Sequence, residues 1–347
     1  MNLLYLKLFA ILVLVLSLPF LIKKVEEELE FFLFIMGCVA VTVTAQWNMH
    51  LIKEALGEPV KITLAVLISG FLFRLLQRPM ADHVNKVVQK MGLKFFIFCA
   101  IVLLGLLSSV ITAIIASLVL VEIVNSLKVE RKVEIRFVVL CCFSIGLGAA
   151  LTPIGEPLST IAIAKLKGEP YGADFFFLAR HLGWYILSGV IAFGLLGVAL
   201  TPAHYKKESG LLEDRREAAK DILLRTAKVY LFVMALIFLG SGFKPVIDVF
   251  VSKVPYHGLY WVNIISAVLD NATLAAAEIG PSLEIHQIKA ALLGLLISGG
   301  ILIPGNIPNI ISAGKLKIKS SEWAKFGVPV GLAAMTACFL IFMLAGG

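Results

Sequence analysis

Apolar residues fall along this chain in blocks close to the ~20 residues that a helix needs to cross a bilayer core. Uninterrupted blocks at 3–22, 31–47, 60–78, 178–201, 228–243 and 326–345 each predict a transmembrane helix, and the fifth is short enough to require extension at one end. One basic residue, Lys7, precedes the first apolar run and no small-x-small cleavage site follows it. That predicts a retained span, not a removable signal. Four further blocks are apolar but broken: 95–127 around Ser108–Ala113, 136–167 around Gly148–Pro157, 259–280 around Ser266–Asn271, and 288–318 around Gly299–Pro308.

The breaks have a physical reading. Proline has no N–H to donate and clashes with the preceding helical turn, and glycine loosens a helix further. Pro153 and Pro157 with Gly155, and Pro304 and Pro308 with Gly305, therefore predict two helices broken within the membrane. Lipid tolerates such backbone only where protein or a water-filled cavity surrounds it. A plain proline kink is the competing reading, and the doubled Pro-x-x-x-Pro argues against it.

The breaks also recur. Ser108–Ala113 aligns with Ser266–Asn271 at an offset of 158, the proline pairs align at 151, and AKLK (164–167) aligns with GKLK (314–317) at 150. Matches in the same order predict a duplicated unit. The expected organisation is a first transmembrane helix within 1–28, a first repeat over 29–167, a second over 168–318, and a last transmembrane helix within 319–347.

Composition and charge then set the solvent and the topology. The 347 residues are 59% hydrophobic and 16% charged, against roughly 45–50% apolar and about 25% charged in soluble domains. Too few polar residues remain to cover a soluble surface, which excludes a soluble enzyme, a disordered chain and a secreted scaffold. The net charge of +8 would suggest nucleic acid in a soluble protein. Here most of the 31 Lys and Arg gather in 23–30, 74–94, 128–136, 203–228 and 315–325. Those segments share the cytoplasmic side if 95–127 is a re-entrant hairpin opening inward and 259–280 one opening outward. The predicted fold class is an all-α polytopic membrane protein of the plasma membrane. It has inverted repeats, two opposed re-entrant hairpins and two broken transmembrane helices, as in secondary transporters.

Where the four breaks meet, the available polar groups are Ser108, Ser109 and Thr112; Thr152 and Glu156; Asp270, Asn271 and Thr273; and Asn306 and Asn309. Asp270 and Glu156 stand out, because an ionised carboxylate in the bilayer core costs several kcal/mol or more and persists mainly when a cation or proton satisfies it. Carboxylate, amide, hydroxyl and carbonyl oxygens are hard ligands suited to Na⁺. Helix N-termini attract anions, but no Lys or Arg lies inside the breaks, which favours a cation. Each group also has a structural reading. Ser108 and Thr152 can bond back to helix carbonyls, Asn306 and Asn309 can cap broken ends, Asp270 can cap its helix, and Glu156 can pair with Lys165. Glu122 and Glu278 are expected to snorkel to the interface. The five cysteines show no disulfide or zinc spacing, the six histidines form no metal pair, and no phosphate-binding loop or GxSxG turn occurs.

LTPIGEP (151–157), AVLDN (267–271) and PGNIPNIISAGKL (304–316) resemble signatures of the ion transporter superfamily. That group includes D-type sodium/proton antiporters, arsenite transporters, and citrate and dicarboxylate carriers. The nearest likeness is to its branch of uncharacterised cation transporters, over the whole chain. The resemblance implies inverted repeats and a substrate held by hairpin tips and broken helices. It maps Asp270-Asn271 onto the Asp-Asn of the antiporter and arsenite branches, and Thr152–Gly155 and Gly305–Asn309 onto the two helix breaks. The tips here read Ser-Ser-Val and Asp-Asn-Ala, where dicarboxylate carriers have Ser-Asn-Thr, which argues against dicarboxylate import.

The leading expectation is a cation (Na⁺)/proton antiporter without catalytic residues, Asp270 and Glu156 being ligands of the transported ion. An anion or organic-acid carrier is the alternative, and an intramembrane enzyme or structural subunit a third. The expected partners are a small ion and the lipid bilayer, with a homodimer left open; no nucleic acid is expected, and no cofactor beyond Na⁺ as transported or coupling ion.

Overall fold

The computed structural model describes residues 3–345 except 23, 26–27, 128, 203–218 and 251–253. In chain order, α1 (Leu3–Leu21), α2 (Leu29–Val43) and α3 (Met49–Met91) lead into α4 (Leu93–Ile111) and α5 (Ala113–Leu127). There follow α6 (Arg131–Ala149), α7 (Pro157–Leu166), α8 (Phe177–Leu200) and α9 (Ala219–Phe250). The last part holds α10 (Tyr256–Val262) with a 3-10 turn over Asn263–Ala267, then α11 (Asn271–Glu278), α12 (Ile285–Ser298), α13 (Ile307–Leu316) and α14 (Ser320–Leu344). Among the described residues, four stretches are long and apolar enough to cross a membrane: α4, α8, Ile222–Pro245 within α9, and α14. The chain is an all-helical protein with the apolar helices of a membrane protein.

Local chemistry sets the helix ends. The Asn48 side chain accepts the Leu51 N–H at 2.8 Å and starts α3, an ordinary N-cap bond. Gly92 ends α3 with φ +80°, its N–H returning to the Val88 carbonyl. A left-handed φ of that kind is open mainly to glycine. Gln287 accepts the Glu284 N–H within the capping box of α12, and Glu322 accepts the Lys319 N–H ahead of α14. Arg131 at the start of α6 makes a bidentate pair with Glu322, its nitrogens 2.9 and 2.7 Å from the two carboxylate oxygens.

The 60–78 block lies inside a much longer helix, α3, which runs from Met49 to Met91. The 228–243 block is extended at both ends within α9. The broken blocks separate into α4 and α5, α6 and α7, α10 and α11, and α12 and α13. Of the basic segments, 203–218, Lys23 and Lys128 lie outside the described residues.

Burial sorts the helices into layers. From Val133 on, almost every residue of α6 is buried, and from Ile288 on so is almost every residue of α12. A helix apolar all round belongs inside a bundle, and these two form the centre. By contrast, α8 and α14 expose large apolar side chains on one face, among them Trp184 at 77%, Leu195 and Leu340. Such faces suit lipid.

Glycines let the central helices approach. A Cβ added to Gly148 on α6 would lie 1.8 Å from the Gly105 carbonyl oxygen of α4. One added to Gly294 on α12 would lie 2.5 Å from the Tyr260 oxygen of α10. The second layer is built alike: Gly37 of α2 meets Phe238 of α9, and Gly242 of α9 meets Ala40 of α2. With little hydrophobic force between helices in lipid, close small-residue packing is what drives association.

Gly148→Ala is expected to destabilise the protein by roughly 1–3 kcal/mol, because backbone must move to admit the methyl. Gly314→Ala on α13, with nothing within 4 Å of its added Cβ, is expected to be neutral or stabilising by about 0.5–1 kcal/mol. Thermal unfolding of both variants in detergent checks the contrast.

Candidate ion-binding site

Four helices begin at breaks in apolar sequence: α5 after Thr112, α7 after Glu156, α11 after Asp270 and α13 after Asn306. A helix start leaves backbone N–H groups without intrahelical partners. Asp270 Oδ2 accepts the Thr273 N–H at 2.9 Å and its hydroxyl at 3.1 Å. Thr112 Oγ1 accepts the Ile115 N–H at 3.4 Å, also three residues on. The other two starts are handled differently. Glu156 (φ −154°, ψ 161°) and Asn306 (φ −154°, ψ 149°) share one extended backbone conformation, and neither side chain caps its helix. Pro157 and Pro308 occupy the first turns there, removing an N–H that would otherwise need a partner. The Glu156 and Asn306 side chains are left uncommitted to their own helix starts.

The breaks are tied to one another through backbone. Ala113 donates its N–H to the Gly155 carbonyl at 2.8 Å, and the Thr152 hydroxyl bonds the Ser109 carbonyl. A Cβ on Gly155 would lie 2.0 Å from the Ala149 oxygen; one on Gly305 would lie 2.5 Å from the Gly299 oxygen and 2.6 Å from that of Ser266. Only glycine fits either crossing. Asn309 Nδ2 donates to the Gly299 and Leu302 carbonyls, each at 2.8 Å, sealing the end of α12. The Ser159 hydroxyl reaches the Ala149 carbonyl at 3.4 Å, at the end of α6.

At the meeting point the Glu156 carboxyl, 5% exposed, lies against the Asn271 and Asn306 side chains and within the field of Asp270. Asn271 and Asn306 are also buried, and Asp270 is half-buried. Glu156 Oε1 and Asn271 Nδ2 are buried with no hydrogen-bond partner among the described residues. A Cβ on Gly146 would fall 2.7 Å from Asn306 Nδ2, and one on Gly299 would fall 3.7 Å from Asn271 Nδ2. Gly146 thus makes room for the Asn306 amide, whereas the approach at Gly299 is ordinary contact. No cluster of three or more His, Cys, Asp or Glu occurs among the described residues, so the acidic pair is joined by amides and backbone and not by a wider ligand cage.

Electrostatics here are finely opposed. Each helix N-terminus carries roughly half a positive charge, so four of them offset about two negative charges. Two ionised carboxylates would supply those two. The charge on Glu156 and Asp270 therefore decides which sign of ion the centre attracts.

Of the twelve residues singled out in the sequence, the structure gathers Glu156, Asp270, Asn271 and Asn306. The others surround them. Ser108 donates to the Gly105 and Ile145 carbonyls, Ser109 to that of Leu106, and Thr152 to that of Ser109. Thr112 and Thr273 serve helix starts, Gly155 and Gly305 make the crossings, and Asn309 caps. Lys165 does not pair with Glu156; its ammonium reaches the Ala276 carbonyl, and Glu156 is buried away from it. Glu122 and Glu278 do not snorkel. Both are buried, Glu122 near Lys315 and Glu278 beside Asn263. Sequence reasoning marked Gly299 only as the edge of a break and passed over Gly146 and Asn263, which the repeat offsets do not single out.

A family model described as a protein of unknown function, DUF1646, matches residues 5–345. No curated protein matches the chain.

Thr112 holds φ +74° and ψ 151°, a region nearly closed to a β-branched residue. Such backbone stores about 1–3 kcal/mol and clusters at functional sites. Thr112→Gly is expected to raise the melting temperature, since the 3.4 Å cap it loses is weak. Asn309→Ala is expected to lower it by the equivalent of roughly 1–3 kcal/mol, because two buried carbonyls lose their donor.

Proposed function

The chain belongs to the DUF1646 family, and we propose that it is a secondary active ion transporter, a cation (Na⁺)/proton antiporter working by alternating access. The observation that carries this reading is the carboxylate pair of buried Glu156 and half-buried Asp270, set with two amides where four helices start. An unpaired buried carboxylate costs several kcal/mol, more than the roughly 1.5–3 kcal/mol of a hydrogen bond to it. A cation or protons accompanying the pair relieve that cost beyond what the fixed helix ends supply, and exchange of one for the other is antiport. The resemblance to the ion transporter superfamily supports the same reading.

In this account the protein is multi-pass in the plasma membrane and is built as two inverted repeats. Matching contacts support the duplication. Ser108 reaches the Ile145 carbonyl and Ser266 that of Leu295; Ser159 reaches Ala149 and Asn309 reaches Gly299. The hairpin partners differ by 158 and the broken-helix partners by 150, the offsets of the sequence repeat. In the second helices of the breaks, α5 packs with α13 and α7 with α11, so each re-entrant hairpin meets the broken helix of the other repeat. Motion of α4, α6, α8, α10 and α12 against α2, α3 and α9 would open the site to either side.

A second reading, a proton-coupled anion carrier, draws on the four helix starts. With both carboxylates protonated, the N-termini leave the centre positive. The two readings part at Asp270. For the antiporter, Asp270→Asn abolishes cation-driven proton flux in proteoliposomes and Glu156→Gln reduces it about tenfold or more. Full flux in Asp270→Asn contradicts the antiporter, and Na⁺-independent anion uptake in that variant establishes the carrier.

A further inference from the structure

Helix α11 carries a carboxylate at each end. Asp270 precedes its first turn and Glu278 is its last residue, about 12 Å apart along the axis. The two ends treat charge oppositely. At the start, the Thr273 N–H and hydroxyl both bond Asp270, and the positive end of the helix favours the anion. At the finish, the negative end disfavours an ionised Glu278.

The surroundings of Glu278 point the same way. It is 5% exposed, and its neighbour Asn263, on the 3-10 turn after α10, is 0% exposed. Glu278 Oε2 and Asn263 Oδ1 are both buried without a hydrogen-bond partner. Both atoms are acceptors, so neither can satisfy the other unless one of them gains a hydrogen. Asn263 Nδ2 donates one hydrogen to the Ala291 carbonyl of α12 at 3.1 Å and has its second for the Glu278 carboxyl beside it, which leaves Oε2 and Oδ1 with no hydrogen between them.

Charged and titratable groups on the packed elements are engaged or turned away. Lys165 of α7 is exposed and holds the Ala276 carbonyl, two residues before the helix end. On α12, the His286 ring lies tilted against that of Tyr256, and Lys289 lies near His181 of α8. His257 of α10 and Lys244 of α9 are exposed.

We propose that Glu278 is a proton-binding site separate from the Glu156–Asp270 centre: Oε2 carries a proton, donates it to Asn263 Oδ1, and exchanges it during transport. The proton comes from water and returns to water, so no other reactant is required. This rests on the transporter reading for its role in turnover, while the protonated carboxyl itself does not. Glu278 would then add a second proton site, on the same short helix, to the pair at which cation and proton exchange.

The test uses the full chain in lipid nanodiscs and proteoliposomes. The infrared difference spectrum of wild type minus Glu278→Gln at neutral pH is expected to show the C=O band of a protonated carboxylic acid. A carboxylate band in its place overturns the site. Gln at 278 keeps a donor for Asn263 Oδ1, so the variant is expected to keep the wild-type melting temperature. Should it fail to fold, Asn263→Leu must shift the same band, and an unmoved band overturns the pairing. In proteoliposomes Glu278→Gln is expected to lose proton-coupled flux by about tenfold or more while cation binding, measured by titration with Na⁺, stays at wild-type affinity. Unchanged flux overturns the exchange role. If wild type itself moves no ion, the transporter reading fails with the exchange role, and the infrared band still decides the proton.

Discussion

A broken helix inside an apolar protein has a strict requirement: every freed N–H and carbonyl must find a partner in the protein or in a water-filled cavity, because lipid offers none. The architecture around the site answers that requirement group by group. Gly155 gives its carbonyl to the Ala113 N–H, Asn309 takes the carbonyls of Gly299 and Leu302, and Thr152 bonds the Ser109 carbonyl. Glycines at 148, 155 and 305 bring the backbones near enough for these bonds. The buried helices α6 and α12 hold the two breaks rigidly between layers whose outer faces remain apolar. Close packing is thus the means by which polar backbone survives in this environment.

That same accounting separates the structural polar residues from the functional ones. Where a side chain is consumed by a freed backbone group, as with Asn309, it is part of the frame. Where proline removes the N–H instead, as at Pro157 and Pro308, the side chain at the helix start is left over. Glu156 and Asn306 are those left-over groups, and they lie with Asn271 beside Asp270. Asp270 belongs to both classes. One of its oxygens caps α11, and its charge still faces Glu156.

Much of this was legible in the chain, for identifiable reasons. Apolar length marked α1, α8 and α14 within a few residues, except the start of α14, because lipid-facing helices must be apolar throughout. Proline and glycine at 153–157 and 304–308 located two breaks, because those residues act on backbone whatever surrounds them. The reach of α3 was not legible: Lys53, Glu54 and Lys90 interrupt the apolar pattern while remaining good helix formers. Nor could sequence tell Asn306 from Asn309, since the difference lies in which carbonyl each one faces. Glu278 read as an interfacial charge because depth along a short helix is set by its neighbours, here Asn263 and the layers around it.

The central claim is that a cation sits among Glu156, Asp270, Asn271 and Asn306. Anomalous diffraction from crystals soaked in thallium(I), a heavy substitute for a monovalent cation, tests it most directly. The account predicts a single strong anomalous peak within ligand distance of Asp270 and Glu156, displaced by added Na⁺ and lost at low pH. No peak at that position, with bound anion density at the helix starts instead, would contradict it.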